Sequence, residues 1–391
     1  MIMKEDYKIQ EFSLFGGPLQ RLGRRLGLVR AGTNTFWLGV ALGLLAWCVL
    51  IMLAFLQGVG NKIFSLALIG AHVRLLAAIP LFFLCETLVA PRMAEFVREI
   101  VRSGVVPESE LPILTSDIRR IDRIKDSWLA ELLFLLAALA LPLIGTALNL
   151  QGKTGNWSWI LDQAGGRLTW VNGWYLGFCL TLFQFLMFRW LWHLGLWCYF
   201  LWRVKKINLH LIPTHPDSAA GLGYLEVVQE HFAPLAMAIS AVLSARFAED
   251  IALQTMTFEA LYQWIPIVLL LIAVLFIGPL FIFSRKLWYC RVTGLIEYMA
   301  MASHYVNAFD NKWIRDEQAT GESQLGTPDM QSLADLTNSV RVVRDMRWIP
   351  ASRRLLLTLA ASVIVPMLPL LLLKYPVVEL TEKLFKSLSG L

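Results

Sequence analysis

Seven apolar runs of about twenty residues each alternate with segments that gather most of the chain's Lys and Arg. The runs cover roughly residues 36–57, 63–90, 128–150, 174–202, 227–247, 264–283 and 355–373. That length carries a helix across the hydrocarbon of a bilayer, so the pattern predicts an all-α integral membrane protein with about seven transmembrane helices. Composition agrees. Charged residues make up 16% of the chain against about 25% in soluble domains, and 57% of residues are hydrophobic.

Charge distribution sets the expected orientation. Segments 1–35, 91–127, 203–226 and 284–354 hold 26 of the 35 basic residues, while the other connectors, the tail and the end of the fifth run (Arg246) together hold seven. Basic connectors stay cytoplasmic, which puts the N-terminus inside and the C-terminus in the periplasm. Segments 91–127 and 284–354 carry helical periodicity and are expected to be cytoplasmic helical extensions. Residues 374–391 are expected to form a periplasmic interfacial tail, and 203–226 a cytoplasmic loop. Residues 18–30 place Leu19, Leu22, Leu26 and Val29 opposite Arg21, Arg24, Arg25 and Arg30. This suits a basic amphipathic helix on anionic lipid headgroups, or a plain lead-in that sets orientation. The first run begins near Phe36 after this basic segment and is expected to be a retained span, not a cleaved leader.

The net charge of +6 carries no nucleic-acid signature, because no basic stripe interleaves with exposed aromatics. Five scattered cysteines show neither CxxC nor zinc spacing, so neither a disulfide framework nor a metal site is expected. No GxSxG, P-loop or paired-carboxylate pattern points to an enzyme or a cofactor.

Ionisable residues inside apolar runs are costly and mark pathways or interhelical pairs. Those singled out here are His72, Arg74, Glu86, Arg189 and His193. Ser65, His72, Ile79 and Glu86 are seven apart and are expected to share a face of the second span. Arg189 and His193 are four apart on the fourth. His72, Glu86, Arg189 and His193 are therefore candidates to line one polar interior, with Arg74 pointing elsewhere. In the fifth span Ala236, Ser240, Ser244 and Ala248 recur every fourth position, a small-residue stripe expected to pack closely on neighbouring helices.

The loop before that span holds His215, Asp217, Glu226, Glu230 and His231, residue types that suit a metal but at no recognised spacing. Asp217 in Pro216-Asp217 can instead cap the turn that follows. The stretch Ile212-Pro213-Thr214-His215-Pro216-Asp217, with its following glycines, resembles bacterial multi-pass inner-membrane proteins of uncharacterised function. So does Leu325-Gly326-Thr327-Pro328-Asp329-Met330-Gln331-Ser332-Leu333-Ala334-Asp335-Leu336. The resemblance implies a bacterial inner membrane and no particular chemistry. The expected function is a channel or transporter for an ion or small polar solute. The alternative is a non-catalytic scaffold or sensor subunit that recruits a partner through its cytoplasmic helices; a homo-oligomer or a complex with a protein partner is compatible with either reading.

Overall fold

A computed structural model describes residues 14–16, 35–147, 170–315 and 328–374. The basic segment 18–30, residues 148–169 and 316–327, and the tail from 375 lie outside the described residues. So do Leu325, Gly326 and Thr327 of the second resembling stretch.

Among the described residues every regular element is helical. The long helices are α1 (Phe36–Leu56), α2 (Leu66–Arg102), α3 (Leu111–Lys125), α4 (Trp128–Ala147), α5 (Trp170–Lys206), α6 (Tyr224–Glu230), α7 (Ala233–Ala252), α8 (Leu261–Phe276), α9 (Ser284–Asp310), α10 (Pro328–Asp345) and α11 (Arg353–Met367). Six helical stretches among the described residues are long and apolar enough to cross a membrane. A seventh is counted if the pair α3–α4, bent by 41°, forms one span. By length and composition this architecture is compatible with a membrane protein.

Prolines explain most departures from the expected boundaries. Pro234 lacks an N–H, and the fifth apolar run breaks at His231–Phe232 into α6 and α7. Gly278-Pro279 ends α8 at Phe276 and turns the chain through a 3-10 segment before α9 starts afresh. Pro80 follows a π-helical turn, Arg74–Ala78, that widens α2 where the proline cannot donate. A second π-helical turn, Tyr175–Leu180, sits near the start of α5, and the Thr181 hydroxyl donates to the Leu176 carbonyl at 3.1 Å.

α7 is enclosed by other helices, principally α11 and α2. Ala236 and Ser240 are fully buried, and Ser244 and Ala248 nearly so. Ser240 Oγ donates to the Val363 carbonyl of α11 at 2.6 Å, a contact that only a small side chain permits. α1 lies as closely on α2: a β-carbon at Gly43 would run into the Leu75 carbonyl oxygen.

α2 and α5 run parallel along a regular seam. Arg74 bonds Tyr175, Phe82 stacks on Phe183, Glu86 faces Arg189 and Phe96 meets Trp197 edge-on. Three of these pairs are separated by the same 101 residues and the fourth by 103. A constant offset is the mark of two helices ascending together. Beyond the seam, α6 ties α5 to α8. With its amide oriented to satisfy both neighbours, buried Gln229 accepts from Trp197 Nε1 and donates to the Phe276 carbonyl, each at 3.2 Å.

Candidate functional site: two charged layers on one helix seam

The seam carries charge at two levels. At the first, Arg74 Nη1 donates to the Tyr175 hydroxyl at 2.6 Å, each residue at the head of its π-helical turn. Glu249 of α7 joins them by accepting the Gly70 backbone N–H at 2.8 Å. A β-carbon at Gly70 would sit 2.6 Å from Glu249 Oε1 and 3.3 Å from Arg74 Nη1, so both charged groups converge over this glycine. Arg246 adds contacts of 3.6 Å to Glu249 and 3.2 Å to Asp250, along its own helix.

Twelve residues further along α2, about 18 Å at the helical rise, lies the second level. Here Arg189 Nη2 is 3.8 Å from Glu86 Oε1, and both side chains are about nine-tenths buried. The Arg189 guanidinium is poorly satisfied. Among the described residues its Nε has no hydrogen-bond partner, and its Nη2 reaches the Gly16 carbonyl only at 3.4 Å. His193 stands one turn further on α5, buried beside Trp190. Phe15 closes over this corner, its ring 5.4 Å from Trp190 and 4.9 Å from His193. The space left among Phe82, Phe83, Glu86, Leu186, Arg189, Trp190 and His193 is about 10 Å³, the lower limit for one water. Between the two levels the rings of Phe82 and Phe183 stack with centroids 5.9 Å apart.

Glu86, Arg189 and His193 therefore come together, and His72 does not join them. Its Nδ1 accepts from Trp47 Nε1 at 2.8 Å, so its Nε2 must donate, and does so to the Ile63 carbonyl at 2.9 Å. The ring also stacks on Phe64. The cause is the π-helical turn between His72 and Glu86. It accommodates an extra residue and rotates the rest of α2, so the two faces diverge despite their heptad spacing. The same turn swings Arg74 into the seam. The partner at Glu249 lay beyond the expected end of its span at 247, and only the run of charges Arg246, Glu249, Asp250 hinted at it.

The loop residues are gathered into a clasp. Asp217 accepts the backbone N–H groups of Ala219 at 2.8 Å, Gly221 at 3.2 Å and Gly223 at 2.7 Å, and His215 Nδ1 lies 2.8 Å from its Oδ1. Ser218, Ala220 and Gly221 adopt positive φ to turn these groups inward. Gly221 sits so close to Val105 that a β-carbon would collide with it. Arg347 binds Glu226 at 2.7 Å and the Asp217 carbonyl at 3.1 Å, which fastens the loop to the end of α10. Glu230 pairs with Arg354 at 2.9 Å, and His231 Nδ1 bonds the Val227 carbonyl at 2.7 Å. Burial opposes ionisation of Asp217, but the three N–H donors and His215 outweigh it and hold the carboxyl below its ordinary range. Among the described residues no group of His, Cys, Asp and Glu is arranged to hold a metal ion.

No protein family, curated protein or solved structure matches the chain in comparisons of sequence and fold.

Proposed function

We propose that the chain is a membrane channel or carrier for a small anion or carboxylate-bearing solute, with its path along the α2–α5 seam. The observation that carries this reading is Arg189, a buried guanidinium that among the described residues has one nitrogen unbonded and its nearest carboxylate at 3.8 Å. A permanent cation so weakly compensated in an apolar surround favours any anion that reaches it. The Arg74–Tyr175–Glu249 level supplies a second polar station on the same helices. In this account the conformation described is occluded, with the Phe82–Phe183 stack between stations and Leu14–Gly16 over one end. Opening would part α2 from α5, and the π-helical turns are where such helices give most readily.

The test is flux into liposomes that contain only this protein, followed with a chloride-sensitive dye and repeated with acetate. Flux above protein-free liposomes, lost in Arg189→Gln, is expected. Rates equal to protein-free liposomes for both anions would overturn the reading. Orientation is proposed from the charge rule: cytoplasmic N-terminus and periplasmic C-terminus, in a bacterial inner membrane. A periplasm-active reporter fused after Leu391 should be active, and the same reporter at Gly321 silent.

A second reading, a scaffold subunit, has its own support. α9 and α10 form a hairpin beyond the apolar helices, and α9 exposes Ile296, Met299, Met301 and Val306. A stoichiometric partner that co-purifies through this hairpin, with no flux, would favour it.

A further inference from the structure

A cleft of about 650 Å³ opens between the extended segment after α5 and the first turns of α9. Its volume is that of a small-molecule site. Lys205 closes α5 on one wall, and Arg285 and Lys286 begin α9 on the other. Leu209, Leu211 and Tyr289 give it an apolar flank.

The cations lack a counterion. Arg203, two residues earlier, is paired with Asp117 at 2.5 Å, whereas Lys205, Arg285 and Lys286 have no carboxylate within ion-pair distance among the described residues. Lys286 is instead held to the wall by the Ile207 carbonyl at 2.7 Å. Burial and then Lys205 push its ammonium below the usual range, with Glu110 acting in the opposite direction. The one acidic lining residue, Glu297, lies three helical turns beyond Arg285. Crowded like charges that share a cavity are relieved by an anion.

The level of the cleft narrows the choice. Exposed indoles of Trp202, Trp288 and Trp348 ring this end of the bundle, with Lys206 over Trp202 at 3.5 Å and Trp288 6.5 Å from Trp348. Such rings settle at headgroup depth. We infer that this cleft binds a phosphate-bearing anion, and that the phosphate is that of an anionic phospholipid whose glycerol backbone lies along the Leu209–Tyr289 flank. The site stands apart from the α2–α5 seam and does not rest on the transport reading.

Cys290 lines the cleft, so its accessibility reports occupancy. The full-length protein in detergent is alkylated in the presence of dioctanoyl phosphatidylglycerol, inorganic phosphate or dioctanoylglycerol, and Cys290 labelling is followed by peptide mass spectrometry. Phosphatidylglycerol should slow labelling, while dioctanoylglycerol, which has no phosphate, should not. Each of Arg285→Gln and Lys205→Gln should weaken that protection by about fivefold in half-protecting concentration. Lys205→Gln removes no hydrogen bond seen in the fold, so it tests the charge even where a change at Lys286 would disturb the chain. Equal protection by inorganic phosphate would reassign the site to a soluble phosphate compound and overturn the lipid assignment. No protection by either phosphate probe, or protection unchanged in both variants, would overturn the site itself.

Discussion

Phe82 and Phe183 stack 5.9 Å apart at an interplanar angle of 25°, directly between the two charged levels of the α2–α5 seam. Their sequence offset of 101 equals that of Arg74 and Tyr175 on one side and of Phe96 and Trp197 on the other. The polar groups are thus embedded in an aromatic seam whose register is fixed along its length. A buried aromatic contact separates the two charged levels.

The stack gives the first prediction. Phe183→Ala removes a nearly buried ring and should cost about 3–5 kcal/mol of stability. Where the seam is the path, the same change joins the stations and raises anion flux per folded molecule. Thermal melts and liposome flux on one preparation separate the effects. A less stable protein with unchanged flux per molecule would place the path elsewhere.

Glu86 and Arg189 give the second. Glu86→Gln leaves the guanidinium uncompensated, and removing one member of a buried ion pair typically costs about 3–5 kcal/mol. Their 3.8 Å separation puts this case at the lower end. Arg189→Met removes the other member of the pair, so the double variant should be more stable than the sum of the singles predicts. Additive losses in a double-mutant cycle would mean that the two charges do not interact. Lost flux in a double variant that folds and melts normally would assign them to transport.

How much of this was readable in the sequence differs between scaffold and site. The apolar runs gave away six of the membrane-length helices, because length and composition alone decide that a segment is apolar enough to span. Local spacing also placed Arg189 and His193 on one face of α5, since residues four apart lie about one helical turn apart. The tertiary pairings had no such cue. Tyr175 lies 101 residues from Arg74, and Glu249 lies 179 from Gly70. The π-helical turn at Arg74–Ala78 also shifts the phase of α2 without changing its composition. Seven-residue counting therefore aligned His72 with Glu86, while the folded chain turns one toward Trp47 and the other toward Arg189.

Ser240 supplies the third prediction. Its hydroxyl bonds the Val363 carbonyl at 2.6 Å in a fully buried contact between α7 and α11. Ser240→Leu would wedge these helices apart, and overpacking costs about 1–3 kcal/mol. Ser240→Ala should be milder, since it loses the bond and keeps the approach. Melting temperature should fall in the order parent, Ala, Leu. Leu melting at or above the parent would mean that this helix contact yields without strain.

The last prediction concerns pH and the clasp after α5. Asp217 draws three backbone N–H groups around its carboxylate, and those donors hold its pKa below the ordinary value against the opposing effect of burial. A carboxyl depressed in the folded state stabilises fully above its unfolded pKa, about 3.9, and the contribution is lost as pH falls through the depressed value. Asp217→Asn keeps the shape but removes the charge and half the acceptor capacity, so about 1–3 kcal/mol should be lost at neutral pH. In acid the parent is itself protonated, and the difference between the two proteins should shrink toward zero. Because Arg347 bridges this loop to Glu226, the loss should be accompanied by faster proteolysis near the end of α10. Melts of both proteins at neutral pH and in acid decide the matter. A gap that stays constant across that range would mean that the effect comes from amide geometry and not from the charge.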